Sequence, residues 1–174
     1  MAAERAEPPL AAVLAAITRA DEAARTAARE HRAAHPRSLG RLDDLGVWLA
    51  GVQGEAPARP LERVRMLLVA GDHGVAESQV SHRPAGSTAR LLRETVAGRS
   101  APAVVARSVG TDVRPLALSV DDELADLPAA VTMHAVRRGT GRVDREDAMT
   151  AEETAAAMQV GIDVVDEEVD SGAD

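Results

Sequence analysis

Cysteine, phenylalanine, tyrosine and lysine are all missing from this chain of 174 residues, and Trp48 is its only tryptophan. Without cysteine there are no disulfides, no thiolate nucleophile and no Cys-based zinc site, a composition compatible with a reducing compartment. Without phenylalanine or tyrosine the core must be aliphatic, and the stacked rings of a single-strand nucleic-acid platform are excluded. Without lysine there is no Schiff-base chemistry and no Walker-type phosphate lysine, and all 20 basic residues are arginine. No basic segment followed by an apolar leader opens the chain, and no apolar run approaches the length of a membrane span. The expectation is a soluble, cytoplasmic protein that engages neither membrane nor nucleic acid.

The length suits one ordinary domain with enough interior to fold without staples. The net charge of −8 is unevenly spread. Residues 1–120 hold 16 arginines against 13 acids, whereas residues 121–174 hold 4 against 15. Such a balance makes a poor general polyanion binder, although a local arginine cluster could still hold one phosphate.

The most informative stretch is Val64-Arg65-Met66-Leu67-Leu68-Val69-Ala70, an apolar strand pattern that runs into Gly71-Asp72-His73-Gly74-Val75. In open α/β sheets ligands sit beyond the carboxyl ends of strands, which puts Asp72 and His73 where a site is expected. The plainer alternative is a tight turn, with the aspartate bonding nearby backbone and the glycines taking positive φ.

Before this strand, Leu10, Val13, Leu14 and Ile17 share a helical face, and the alanine-rich continuation to Ala34 predicts one amphipathic helix ending before Pro36. Ser38 is placed to cap a second helix through Leu39, Leu42, Leu45, Trp48, Leu49 and Val52, with Trp48 as a core anchor. His31 and His35 have a spacing that fits one metal, but no partner lies close in sequence, and no metal is expected.

Beyond the loop, Ser87–Ala97 and Pro102–Val109 read as helices, the second entered by Ser100 and Pro102 and closed by Gly110. Val113–Val120 and Ala130–Arg137 read as strands, the former limited by Pro115. Thr150-Ala151-Glu152-Glu153 forms a capping box for a last helix. Its apolar stripe is Ala155, Met158, Ile162, Val165 and Val169, and its acids Asp163, Asp166, Glu167, Glu168 and Asp170 read as a solvated face. Arg137-Arg138-Gly139-Thr140-Gly141-Arg142 reads either as an anion-binding turn or as a solvated loop. This order of elements predicts an α/β fold with a largely parallel sheet. The domain expectation is an N-terminal helical segment over 1–60 and the first part of an α/β domain over 61–174. The chain stops at Asp174 just after a helix, where an α/β unit should enter its next strand, so the domain is expected to be incomplete.

Five short blocks then stand in a telling order: Ser38-Leu39-Gly40-Arg41-Leu42, Leu49-Ala50-Gly51-Val52-Gln53-Gly54, Ala70-Gly71-Asp72-His73-Gly74-Val75, Pro84 with Thr88, and Asp147-Ala148-Met149-Thr150. In order and spacing the sequence resembles the nicotinate-nucleotide:dimethylbenzimidazole phosphoribosyltransferase family, over the N-terminal portion of that family's usual sequence. The resemblance implies a Rossmann-like, mostly parallel sheet flanked by helices and preceded by N-terminal helices, in a protein that forms a homodimer at full length. It implies transfer of the phosphoribosyl group of nicotinate mononucleotide to 5,6-dimethylbenzimidazole, giving α-ribazole phosphate for the lower ligand of cobalamin, with no cofactor. Such chemistry needs a base for the azole proton, an anion site for the phosphate and an apolar slot for the flat ring.

In the family the base is a glutamate near the C-terminus, and the phosphate lies on a glycine-rich loop with an Asn-Thr-Thr run. Neither motif occurs in this sequence. The family's loop would follow almost directly after Asp174, and no residue inherits the role of catalytic base. The carry-over concerns the base-binding side: Asp72 and His73, then Arg83 before the proline, with Thr88, and Leu91 in the segment where the family has glutamine. Arg83 is large and charged where a flat ring should slide. Arg37 replaces a glycine before Ser-Leu-Gly, Arg99 the second glycine after the third helix, and Ala103 the asparagine of the next helix. For His73 the alternative is a histidine that holds the loop through hydrogen bonds. For the whole chain the alternatives are a catalytically inactive azole-binding or assembly module and, more remotely, a metal-dependent hydrolase on Asp72 and His73.

Overall fold

The computed structural model describes residues 10–34 and 39–174, which form two compact units, 10–62 and 63–174. The first contains α1 (Leu10–Ala16), α2 (Glu22–Ala33) and α3 (Arg41–Gln53). The single helix expected over 10–34 is therefore two. The break falls at Asp21, whose backbone is extended and whose carboxylate accepts from the Ala24 N–H at 2.9 Å, the geometry of an N-cap. The Asp21 N–H donates to the Gly51 carbonyl at 2.8 Å and ties this break to α3.

Helices α2 and α3 pack through small residues: Ala24, Ala50 and Gly51 are buried. A Cβ on Gly51 would lie 2.4 Å from Cγ of Arg25, so the glycine is what admits that side chain. The predicted anchor Trp48 is 54% exposed, and Leu42, Leu45 and Val52 are exposed with it. Close approach on the alanine-glycine face leaves the larger apolar residues of α3 outside the contact. Ser38, the expected cap, and His35 lie outside the described residues, and Gly40 immediately precedes α3.

The second unit is built on β1 (Arg65–Gly71) and β2 (Asp112–Ser119), a parallel pair in register from Arg65 opposite Asp112 to Ala70 opposite Ala117. Among the described residues β2 pairs with β1 alone, an edge position that accommodates Pro115. The crossover between the strands holds a 3-10 turn (Gly74–Ser78), α4 (Ser87–Val96) and α5 (Ala101–Ser108). Ser100 caps α5 by accepting from the Ala103 N–H at 3.2 Å, and the buried Thr95 hydroxyl donates to it at 2.9 Å.

Where a strand is expected over 130–137, the chain instead forms α6 (Ala129–Thr132). Pro128 immediately before it fixes a backbone suited to opening a helical turn. That turn sends Val131 into the core, and Met133 is left exposed. The helix α7 (Ala151–Asp170) carries the predicted capping box: the Glu153 N–H donates to the Thr150 hydroxyl, and the Thr150 N–H to the Glu153 carboxylate.

The inner face of α7 follows the predicted stripe only in part: Ala155, Met158 and Ile162 are half-buried. Val164 is its buried residue, and Val165 and Val169 are exposed. Of the acids expected on a solvated face, Asp163, Asp166, Glu167 and Asp170 are exposed, whereas Glu168 is largely covered; Arg114 on β2 reaches Glu167 and Glu168 at 2.6 and 2.8 Å, and Arg65 on β1 also reaches Glu168. The core is aliphatic throughout: Leu92 and Ala89 of α4 meet Ala70, Ala117, Val120, Leu124 and Val131. None of the helices among the described residues is long and apolar enough to cross a membrane.

Candidate functional site

At its carboxyl end β1 runs past Gly71 into a loop fixed by backbone bonds to two distant segments. The Asp72 N–H donates to the Ser119 carbonyl at 2.7 Å, and the Thr140 N–H donates to the Asp72 carbonyl at 2.9 Å. The Gly74 N–H returns to the Thr140 carbonyl at 3.1 Å, so His73 and Thr140 form a short parallel bridge. A Cβ on Gly74 would stand 2.7 Å from the Thr140 carbonyl oxygen and 2.9 Å from the Gly141 carbonyl carbon. Glycine is required there by close approach of backbone.

The carboxylate of Asp72 accepts from the Asp121 N–H at 2.9 Å and joins the loop after β1 to the loop after β2. His73 is exposed, and its imidazole makes no hydrogen bond among the described residues. Backbone pairing holds the loop, and the imidazole is left to face what lies beyond it.

What lies beyond it is a cleft of about 640 Å³ within the 63–174 unit, walled by Asp72 and His73 on one side and by Arg83, Pro84 and Thr88 on another. Four of the five residues selected from the sequence thus share one cavity: Asp72, His73, Arg83 and Thr88. Leu91 does not line it. Three residues beyond Thr88, and so about 60° short of a full turn round α4, Leu91 lines a smaller adjoining groove of about 240 Å³. The third wall of the cleft, Asp121 with Arg138, Gly139 and Thr140, is not among the residues that the sequence singles out for this site. Its signal lies in the Arg-Arg-Gly-Thr-Gly-Arg run, but nothing local indicates that Thr140 pairs with His73 across 67 positions.

That run is neither an anion-binding turn nor a free solvated loop, because its arginines are paired with acids. Arg137 reaches Glu153 at 2.7 Å, Arg138 reaches Asp121 at 3.4 Å, and Arg142 reaches Asp144 at 2.7 Å. The Arg142 guanidinium holds the Asp144 carboxyl below its ordinary value. Behind α4, Arg93 bonds Asp126 at 2.7 Å and Asp122 at 3.0 Å. Asp126 is lowered chiefly by that guanidinium, and Asp122 chiefly by the Leu124 N–H with Arg93 adding to it. Among the described residues no group of three or more His, Asp or Glu side chains is placed to hold a metal.

Chemically, the cleft offers the half-buried Asp72 carboxylate fixed by a backbone donor, the exposed carboxylates of Glu77 and Asp121, one exposed imidazole, the guanidiniums of Arg83 and Arg138 and the hydroxyls of Thr88 and Thr140, around a space large enough for a flat bicyclic ring. A family model described as phosphoribosyltransferase matches residues 17–174. The nicotinate-nucleotide–dimethylbenzimidazole phosphoribosyltransferase of Streptomyces avermitilis is 51% identical over 148 residues, which are 85% of this chain and 40% of that protein. Its namesake from Mycobacterium tuberculosis is 44% identical over 163 residues, 92% of this chain and 45% of that protein. The crystal structure of CobT from Thermus thermophilus superimposes with a TM-score of 0.76 at 29% identity, covering 87% of this chain and 46% of that one. The chain therefore spans less than half the length of the relatives it matches. Within that span the match is nearly continuous, and the chain belongs to the nicotinate-nucleotide–dimethylbenzimidazole phosphoribosyltransferase family.

Proposed function

We propose that the cleft at the end of β1 is the azole-binding side of an enzyme that transfers the phosphoribosyl group of nicotinate mononucleotide to 5,6-dimethylbenzimidazole, yielding α-ribazole phosphate. The observation that carries this reading is the convergence of Asp72, His73, Arg83 and Thr88 on one cavity at the carboxyl end of a parallel strand, where α/β folds place their ligands. The resemblance of the same residues to the family's base-binding segments supports it independently. In this reading an azole nitrogen forms a bond to C1 of the ribosyl group as the bond to the nicotinate nitrogen breaks, and the azole proton passes to a base.

No residue of this chain takes the role of that base. Asp72 is already engaged by the Asp121 N–H and acts as a positioning residue that sets the loop. His73, exposed toward the cleft, contacts the ring, and Arg83 and Thr88 frame its edge. The substrates, a homodimeric full-length assembly, a cytoplasmic setting and the division into a helical segment over 1–60 and an α/β part over 61–174 belong to the same proposal.

Titration of the chain with 5,6-dimethylbenzimidazole, followed by amide chemical-shift changes, tests it. Saturable shifts at Asp72, His73 and Thr140 are expected, weakened several-fold in His73→Ala. Absence of saturation, or shifts confined to other segments, would overturn the azole-binding assignment. Binding without product when nicotinate mononucleotide is added would favour the second reading, an azole-binding module without turnover.

A further inference from the structure

The groove beside the cleft differs in charge from the rest of the unit. It is lined by Arg83, Arg90, Leu91, Glu94 and Arg99, with Pro84, Ser87 and Ser100 completing its wall. Glu94 is engaged by Arg99, which bonds both of its carboxylate oxygens at 2.9 and 3.2 Å and holds its carboxyl below the ordinary value. Arg90 adds an electrostatic pull on the same carboxyl, so the groove sets three guanidiniums against one carboxylate. Among the described residues, neither the Arg83 nor the Arg90 guanidinium has a carboxylate within ion-pair distance. In the same unit Arg93, Arg114, Arg137, Arg138 and Arg142 are each paired with one or more acids.

Three guanidiniums around one carboxylate leave a local excess of positive charge on one concave surface, in a chain of net charge −8, an arrangement suited to an external anion. Guanidinium forks match the planar oxygens of carboxylates and the oxygens of phosphates, and Arg99, the third guanidinium of the groove, is already held by Glu94. Arg83, Pro84 and Ser87 line both the groove and the cleft. A ligand with its ring in the cleft therefore has its nearest cationic anchorage across that shared wall.

We propose that this groove is an oxyanion-binding site in which Arg83 and Arg90 together hold a carboxylate or phosphate group. About 240 Å³ admits either group. The site does not depend on the transferase reading. Where that reading also holds, the groove distinguishes an acidic pyridine or a phosphate ester from a neutral ring by charge, through residues separate from a glycine-rich phosphate loop.

The test is a set of titrations of the 174-residue chain at low ionic strength, using nicotinate, its neutral counterpart nicotinamide and inorganic phosphate as separate probes. Amide shifts at Arg83, Arg90 and Leu91 provide the readout. Nicotinate is expected to bind at least about tenfold more tightly than nicotinamide, with affinity falling as salt is raised. Arg90→Gln, at an exposed helix position where folding is preserved, is expected to remove most of that preference, as is Arg83→Gln. Phosphate that displaces nicotinate would mark a general oxyanion site. Nicotinate binding alone would mark a ring-borne carboxylate, and phosphate binding alone a phosphate or its ester.

Equal affinity for nicotinate and nicotinamide together with no phosphate binding would overturn the proposal, as would an anion preference unchanged in both variants. A parallel titration with 5,6-dimethylbenzimidazole separates this outcome from failure of the transferase reading. Azole binding without an anion preference would leave that reading standing and remove the groove, and the converse pattern would do the reverse.

Discussion

The core beneath α4 and the cleft at the end of β1 lie within the same 63–174 unit but are held by different forces. The core is a contact of aliphatic side chains, with Leu92 fully buried among Ala70, Ala89, Ala117, Val120, Leu124 and Val131. Its strength comes from apolar area removed from water, which is non-directional and tolerant of small shifts. The cleft is held instead by directional bonds: Asp72 to Asp121 and Ser119, and both Asp72 and Gly74 to Thr140. Stability and site geometry are thus assigned to separate interactions, and a substitution in one should leave a different signature from a substitution in the other.

The widest separation is expected from Leu92→Ala. The side chain is entirely buried, so its truncation should cost about 2–5 kcal/mol of unfolding free energy. Denaturant titration would measure that loss. At temperatures where the variant remains folded, the affinity for 5,6-dimethylbenzimidazole should match that of the parent chain. A core variant that weakened azole binding several-fold while fully folded would show that the two regions are coupled after all.

Gly74→Ala inverts the pattern. The new methyl group would meet two backbone groups, the Thr140 carbonyl and Gly141, and backbone cannot step aside as a flexible side chain can. The global cost should be modest, about 1–3 kcal/mol. The His73–Thr140 bridge should open, and azole binding in the cleft should be lost or fall by an order of magnitude or more. Amide exchange at Thr140 and Gly74, compared with exchange at Leu68, would show whether the damage is local. Unchanged protection at Thr140 would contradict the steric argument.

The same division explains what the sequence made legible. Local signals were reliable where one residue type creates one local geometry: Thr150 with Glu153 opens α7, Ser100 with Pro102 opens α5, and the apolar run before Gly71 forms β1. They failed where an equally local signal competed. The apolar pattern over 130–137 suits a strand, yet Pro128 starts a helical turn first, and Asp21 interrupts what periodicity joins into one helix. Burial could not be read from α3, since large apolar residues at helical spacing suggest a core face while the contact is made by Ala50 and Gly51. In the cleft, Asp72 and His73 were visible because a strand delivers them. Asp121 and Thr140 were not, because they join the site through backbone pairing over long sequence separations. That Arg83 and Arg90 form no ion pair while Arg93, Arg114, Arg137, Arg138 and Arg142 do becomes visible only in the folded chain.

The smallest expected effect concerns the Arg93 network, which lies on the side of α4 that faces Asp122 and Asp126 and contributes to neither the core nor the cleft. Both carboxyls are held below their ordinary value in the folded chain, Asp126 by Arg93 foremost and Asp122 by the Leu124 N–H and then Arg93. A carboxyl depressed on folding contributes stability that is fully present above its unfolded value. That contribution is lost as pH falls through the folded value. The network should therefore contribute near neutrality and fade below about pH 4, while the arginine stays charged throughout. Arg93→Met, which keeps much of the aliphatic stem, should lower the melting temperature slightly at pH 7, and the difference from the parent should shrink as pH drops below about 4. Added salt should shrink it too, because these ion pairs are solvent-exposed and screened. At any one pH, azole and anion binding by the variant should match that of the parent, since Arg93 lines neither cavity. A melting difference that grew on acidification would mean that Arg93 acts through packing of its stem and not through its two acids.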